Sequence, residues 1–393
     1  MRCDRDVDFF PQGRTVTCGG TREETFLPGS NGNADYWDLK RNTQVKHDIL
    51  SSYLLRWASI LSGGQGDARR LAFHYVDGFG GRGRYSGGEP GSPLIAMEIG
   101  QEMYEHRGGN VRLNCYNVEQ DPENFASLEK EVEEARPRFP SVGVSYFQGP
   151  FQEHSDKILR LIPESEDTFV FIDPFGPKGV ELDEVMRFLV RRRSEVFITF
   201  MSNYIGRFMT DAHKAGLVDA IFATDEWRDL VGLPTTSQQT GAVQLYGKQL
   251  QKKGLEMGKE LYVLPIDVAF EDRSANQYHL IHVSQHPKGR LAMEESVGKV
   301  KRLSTQEALF TLGPEIEQHA LKALRANPQG MRALDLAGKV WFRSWYASWP
   351  TDIKEAIRTL ESTGEAEVRT HNGRSRPRGG LEERDLVVLK GGR

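Results

Sequence analysis

Apolar residues recur at three- and four-residue steps from Val45 through Ile49, Leu50, Tyr53, Leu54 and Trp57 to Ile60. That spacing predicts a helix, closed by Ser62, Gly63 and Gly64. Short apolar runs then alternate with amphipathic ones. Strands are predicted over residues 71–77, 111–119, 142–148, 168–173 and 195–201, with helices over 93–107, 124–136, 154–161 and 182–191 between them. Such alternation predicts an α/β fold whose mostly parallel sheet is covered on both faces. Residues 261–270 and 277–284 predict two more strands joined by a polar turn, an antiparallel pair at the end of the sheet. A helix over 291–302 closes this part of the chain.

The pattern changes beyond residue 304. Ile316, Ala320, Leu321 and Leu324 mark one short helix, and Leu334, Ala337 and Val340 a second. Thr351 is placed to cap a third, with Ile353, Ile357 and Leu360 facing inward until Gly364. Residues 366–370 and 385–389 then predict a hairpin. Three helices followed by a two-stranded wing is the pattern of a winged helix. Residues 1–34 show no sustained period. The expected organisation is an N-terminal arm (1–34), an α/β domain (35–304) and a C-terminal winged-helix domain (305–393).

Length and composition narrow the classes. At 393 residues with 38% hydrophobic positions, the chain can bury a sizeable core. No apolar run approaches the roughly 18 residues of a membrane span, and the first thirty residues lack the apolar stretch of a signal peptide. Cys3, Cys18 and Cys115 are too scattered for a zinc site or a disulfide framework. A cytoplasmic protein without a membrane partner is the expectation. The net charge of −4 conceals an asymmetry: residues 314–393 carry 14 basic against 11 acidic side chains, and the remainder is acidic.

Two strand ends carry candidate chemistry. The strand over 71–77 delivers Asp77 into a loop containing Gly78, Phe79, Gly80, Gly81 and Gly83. Gly78, Gly80 and Gly83 satisfy the spacing of a dinucleotide fingerprint, but that fingerprint should open directly into a helix, and residues 84–90 intervene. The other register, Asp77-x-Phe79-x-Gly81-x-Gly83, suits a cofactor with a cationic aminoacyl part and no phosphate, such as S-adenosylmethionine. There Asp77 would accept from the amino group, and Glu119, ending the next strand, would take the ribose hydroxyls. A tight glycine turn packing strand to helix remains the plain alternative. In the second strand end, Phe171-Ile172-Asp173-Pro174-Phe175-Gly176, the Asp173 carboxylate and the carbonyl freed beside Pro174 can accept both protons of an exocyclic amine, while Phe175 can stack on a flipped-out base. The alternative is a turn whose Asp173 caps the helix near residues 179–181.

These residues stand in a familiar order. Lys46, His47, Ile49, Leu50, Tyr53, Leu54 and Trp57 form one block. Tyr75-Val76-Asp77-Gly78-Phe79, Gly81, Gly83 and Tyr85 form the next, then Gly91-Ser92-Pro93-Leu94, the Asp173 block, and Tyr278-His279-Leu280-Ile281. Over residues 36–302 the chain resembles the three-Cys-motif partner proteins, a family with a Rossmann-like class I methyltransferase fold. The resemblance implies S-adenosylmethionine as cofactor and a radical-SAM-type protein as partner. It implies that Asp77, Gly78, Phe79, Gly81 and Gly83 line the cofactor loop, that Asp173, Pro174 and Phe175 form the reaction edge, and that Lys46 reaches the same cleft. Two departures stand out. The third strand ends in Gln148, where an acid often meets the adenine amine, and the Asp173 block lacks the second proline of amine-methylating motifs.

Weaker signals receive ordinary readings. His279 and His282 should point to opposite faces of a strand, with His286 beyond its end, which argues against a metal. Asn203 and Tyr204 read as a loop that could line the substrate cleft. Arg191, Arg192 and Arg193 read as a basic helix end. Trp341, Trp345 and Trp349 read as core. Arg369, Arg374, Arg376 and Arg378 share ten residues with no acid, which fits phosphate contacts at a wing tip; the helix before it carries Lys354 and Arg358 but also Asp352, Glu355 and Glu361. The expected function is a methyltransferase using S-adenosylmethionine on a nucleic-acid substrate, at a base amine. The alternatives are a nucleic-acid- or partner-binding protein of the same fold without catalysis, and a nicotinamide oxidoreductase.

Overall fold

A computed structural model describes residues 39–63, 71–267, 278–303, 315–371 and 380–390, all within the compact unit Tyr36–Arg393. The helix α1 (Arg41–Ser62) is followed by β1 (Leu71–Asp77), α2 (Ser92–His106), β2 (Val111–Glu119), α3 (Pro122–Ala135), β3 (Gly143–Gln148), α4 (Phe151–Leu161), β4 (Asp167–Ile172), α5 (Leu182–Leu189) and β5 (Ser194–Phe200). The helices α6 (Ser202–Phe208), α7 (Ala215–Phe222) and α8 (Thr235–Glu256) precede β6 (Tyr262–Asp267), β7 (His279–Ser284) and α9 (Pro287–Leu303). The last part holds α10 (Glu315–Arg325), β8 (Met331–Arg332), α11 (Ala333–Trp341), α12 (Lys354–Ser362), β9 (Ala366–Arg369) and β10 (Leu386–Leu389).

The seven-stranded sheet has the order β3-β2-β1-β4-β5-β7-β6. β1 to β5 are parallel, and β7 enters antiparallel between β5 and β6. This mostly parallel, Rossmann-like sheet is what the strand–helix alternation predicts. The strands are buried almost throughout, as crossover helices on both faces require. α1, α2, α3 and α9 pack on one face around Phe73, Tyr75, Leu113, Phe169 and Phe171. α4 to α8 pack on the other around Val76, Val118, Val170 and Ile172. The parity of these residues assigns a face to every side chain at the strand ends.

Three expectations need correcting. Asn203 and Tyr204 lie in a helix, α6, not a loop. Thr351 does not cap α12: residues Trp349–Ile353 form a wide turn running into that helix, and the carboxylate that satisfies a free amide there is Asp352, on Ser348 N–H at 2.7 Å. Arg191 does steady a helix end, but that of α4, where it donates to the carbonyls of Leu159 and Ile162.

In the C-terminal part the helices α10, α11 and α12 pack together with an antiparallel sheet of order β8-β10-β9. Their shared core contains Trp341, Trp349, Ile353 and Ile357, together with Tyr262 of β6 and Leu291 of α9. The boundary expected at 304 falls outside the described residues, as do the arm 1–34 and Arg374, Arg376 and Arg378. Among the described residues no helix is long and apolar enough to cross a membrane.

Candidate functional site

The strand order reverses at β1: the chain leaves β1 towards β2 and β3, then crosses back to β4 on its other side. In open α/β sheets the crevice at the carboxyl ends of the strands flanking such a reversal is where ligands bind. Asp77 ends β1 and pairs in register with Asn117 of β2 and Phe171 of β4, while Glu119 ends β2 opposite Gln148. By parity, Asp77, Asn117 and Glu119 sit on the face covered by α1 and α2, and Asp173, just past the end of β4, pairs there with Lys46 of α1. α1 brings Lys46 to the same place.

The loop after β1 is held by its acids. Asp77 is fully buried; it accepts from Phe79 N–H at 3.1 Å and from the Tyr75 hydroxyl at 3.0 Å, and Ser92 also bonds it. Burial raises its carboxyl from the usual 3.8 to about 6, against the pull of these donors. Glu119 accepts from Gly81 N–H and from Asp121 N–H, both at 2.8 Å, and burial raises its pKa too. Asp121 in turn caps α3 through the amides of Glu123 and Asn124, behind Pro122. Both acids therefore grip the loop backbone. Three donors leave Asp77 one of the roughly four acceptor sites of a carboxylate.

The glycines are needed for space and for conformation. A Cβ on Gly80 would lie 2.9 Å from Leu128, and one on Gly78 3.1 Å from the Phe151 ring. Gly81 and Gly83 have φ of +61° and +84°. A Cβ at Gly81 would meet nothing within 4 Å, so that side of the loop is open. α2 begins only at Ser92, behind a small loop bridged by Arg84 and Pro90, and its N-cap Gly91 returns to donate to the Gly83 carbonyl at 2.8 Å. The glycines therefore do not open directly into a helix, as the dinucleotide fingerprint requires.

The reaction-edge residues are placed differently from one another. Asp173 does not cap α5; its carboxylate forms an ion pair with Lys46, and the Gly179 N–H goes to Glu181 instead. Pro174 is buried, while Phe175 is 65% exposed. Gln148 is exposed at the end of β3, its carbonyl accepting from His154 at 2.7 Å.

Four side chains join this site without having been assigned a role in the sequence. Asn117 is fully buried, and neither polar atom of its side-chain amide has a hydrogen-bond partner among the described residues. His47 follows Lys46 on α1, is 3% exposed, and its ring makes no hydrogen bond among the described residues. Burial, and secondarily Lys46, lowers its pKa to about 3 against the pull of Asp173, so the imidazole is neutral at physiological pH. Tyr85 lies against it with ring centroids 5.6 Å apart, and the Tyr278 ring lies 5.9 Å from the Lys46 ammonium. Burial, then the Asp173 charge, raises both phenols. The signal for Asn117 is an amide in a strand otherwise buried and apolar near its end; that for His47 is a polar residue on the apolar face of α1.

The histidines of β7 behave as their parity dictates. His279 meets Ser202 at 2.9 Å and Asp267 at 3.4 Å, while His282 meets Glu195 at 3.0 Å on the other face. Among the described residues no His, Cys, Asp and Glu group is arranged to hold a metal ion.

No family model matches this chain, and no curated protein matches it. Among solved structures it is similar to DszA carbon methyltransferase, at 13% identity and TM-score 0.36 over 65% of this chain and 55% of that one. It is also similar to the METTL16 MTase domain, at 12% identity and TM-score 0.31 over 59% and 66%. A third is CrArsM, an arsenic (III) S-adenosylmethionine methyltransferase from Chlamydomonas reinhardtii, at 12% identity and TM-score 0.31 over 56% and 65%. The chain thus spans between about half and two thirds of the length of these proteins. Likeness at this level does not transfer an activity.

Proposed function

We propose that the chain binds S-adenosylmethionine at the carboxyl edge of β1, β2 and β4 and transfers its methyl group to a nucleic-acid substrate. The observation that carries the reading is the convergence of Asp77, Asn117, Glu119 and Asp173 on one sheet face at the strand-order reversal, with the Asn117 amide buried and without a partner among the described residues. An unpaired buried amide is costly unless a ligand completes it. The cofactor would supply an electrophilic methyl group on a sulfonium. The chain's residues would then bind and align: Asp77 and Glu119 hold the glycine loop against the cofactor, Asn117 bonds it, and Asp173 with the Pro174 carbonyl orients the acceptor atom for direct transfer. Phe175, exposed at the rim, provides an aromatic face for a base.

The C-terminal helices and their three-stranded sheet are read as a winged helix that presents the substrate. Among described residues, Arg358 pairs with Glu355 and Arg369 with Glu367, so support for phosphate contacts comes from Arg374, Arg376 and Arg378, which follow β9 in the sequence and lie outside the described residues. A radical-SAM-type partner enters through the family resemblance alone. One observation favours a second reading, a binding protein without catalysis: Asp173 is already engaged by Lys46.

Incubation with methyl-labelled cofactor and mixed cellular DNA and RNA separates the readings. Label is expected in nucleic acid with the wild-type chain and is expected to be lost with Asp173→Ala. Cofactor binding without any transfer would favour the second reading. Label that persists in Asp173→Ala would remove the proposed role of that carboxylate.

A further inference from the structure

We propose that Lys46 is shared: it pairs with Asp173 when the cleft holds no cofactor and moves to the cofactor's carboxylate when one binds, releasing Asp173 for the acceptor. This deepens the S-adenosylmethionine reading and rests on it. Lys46 stands in the second turn of α1 with its side chain 8% exposed, and Asp173, its side chain 20% exposed, is its ionic partner. An ammonium buried to that degree needs an anion or a set of acceptors. Its other neighbours, the neutral His47 imidazole and the Tyr278 ring, carry no negative charge.

The ligand imposes the reciprocal demand. An aminoacyl group brings an ammonium and a carboxylate into the cleft, and a desolvated carboxylate needs a cation or several N–H donors. The basic residues of the glycine loop are turned away from the cleft: Arg82 donates to Asn124 at 2.6 Å and Arg84 to Glu131 at 2.7 Å, both on α3. Lys46 is the cation that α1 brings to Asp173, just past the end of β4. Two carboxylates, one fixed in the protein and one arriving with the ligand, then compete for it. When the ligand wins, the Asp173 oxygen that faced Lys46 is free to accept from an acceptor N–H. The acceptor site is assembled by the cofactor, so cofactor binding precedes productive acceptor binding.

Calorimetric titration of the full chain tests this with two probes. S-adenosylhomocysteine carries the zwitterionic aminoacyl group and no net charge; 5′-methylthioadenosine lacks that group. Lys46→Met is expected to weaken S-adenosylhomocysteine roughly ten- to a hundredfold, the worth of a charged hydrogen bond, and to leave 5′-methylthioadenosine unchanged, which also shows that the variant is folded. Asp173→Asn, which removes the competitor, is expected to tighten S-adenosylhomocysteine several-fold, and adding Lys46→Met should abolish that gain. Unchanged or weaker binding of S-adenosylhomocysteine by Asp173→Asn overturns the exchange, as does an equal loss of both probes in Lys46→Met. If wild type binds neither probe, the cofactor reading itself fails and takes the exchange with it.

Discussion

Asp77 shows how a single buried carboxylate links loop geometry to pH. Its pKa of about 6, raised from 3.8 chiefly by burial, means that the folded chain holds a proton over a range where the unfolded chain has released it. Stability contributed by this group is therefore full below about pH 4 and lost as pH rises towards 6, by on the order of 3 kcal/mol. Cofactor binding has the opposite sign. A cationic amino group favours the ionised carboxylate, so affinity for S-adenosylmethionine should fall as pH drops through 6, and in Asp77→Asn that slope should vanish. Glu119, His47 and Asp173 face the same cleft, but His47 titrates near 3 and stays neutral in this window. A pH titration of affinity for both proteins checks this; equal slopes would contradict it. Asp77, Glu119 and Asp173 were legible as strand-end acids. Their contacts were not legible from local pattern: Lys46 lies 127 positions from Asp173, and only the family resemblance placed it in the same cleft.

Element by element, legibility followed the apolar period. The strands and helices through β5 appear within a few residues of where periodicity places them, and the antiparallel pair β6 and β7 also appears. The helices α6, α7 and α8 did not show in the pattern. α8 hides its buried face behind Gln239, Gln249 and Gln251 and three glycines. Those glycines are sites of close approach: a Cβ would lie 2.6 Å from Leu230 at Gly241, 2.7 Å from Trp345 at Gly247 and 2.7 Å from Leu261 at Gly254. Glycine to alanine in an exposed helix stabilises by about 1 kcal/mol. Gly247→Ala is expected to do the reverse and lower the melting temperature, because Trp345 is held in place by its N–H bond to Gln251 at 3.1 Å. A raised melting temperature would contradict this packing. The reading of Trp341, Trp345 and Trp349 as core holds for Trp341, fully buried with its N–H on the Ala347 carbonyl at 2.8 Å, and for Trp349, whereas Trp345 is half-buried and packs against the sheet-side core instead.

At the scale of the molecule, the sheet and the C-terminal helices are joined by buried chemistry that composition could not reveal. Arg290 of α9 is fully buried, bonds Glu294, lies 4.2 Å over the Trp341 ring, and donates to the carbonyls of Trp345 and Ala347. Burial lowers its pKa to about 10, so it remains charged. The two parts should therefore unfold in one cooperative transition, and Arg290→Met should destabilise the whole by about 3 kcal/mol or more. Calorimetric scanning that resolved an independent C-terminal transition would contradict this coupling. The strand order itself, with its reversal at β1, is a long-range property that alternation of strands and helices does not specify; it is what brings the four polar strand-end residues together at one edge of the sheet. The most direct test of that site is a calorimetric titration of the full chain with S-adenosylmethionine. Saturable one-site binding by wild type, lost in Asp77→Ala, is predicted. Absence of binding by wild type, or undiminished binding by Asp77→Ala, would contradict the account.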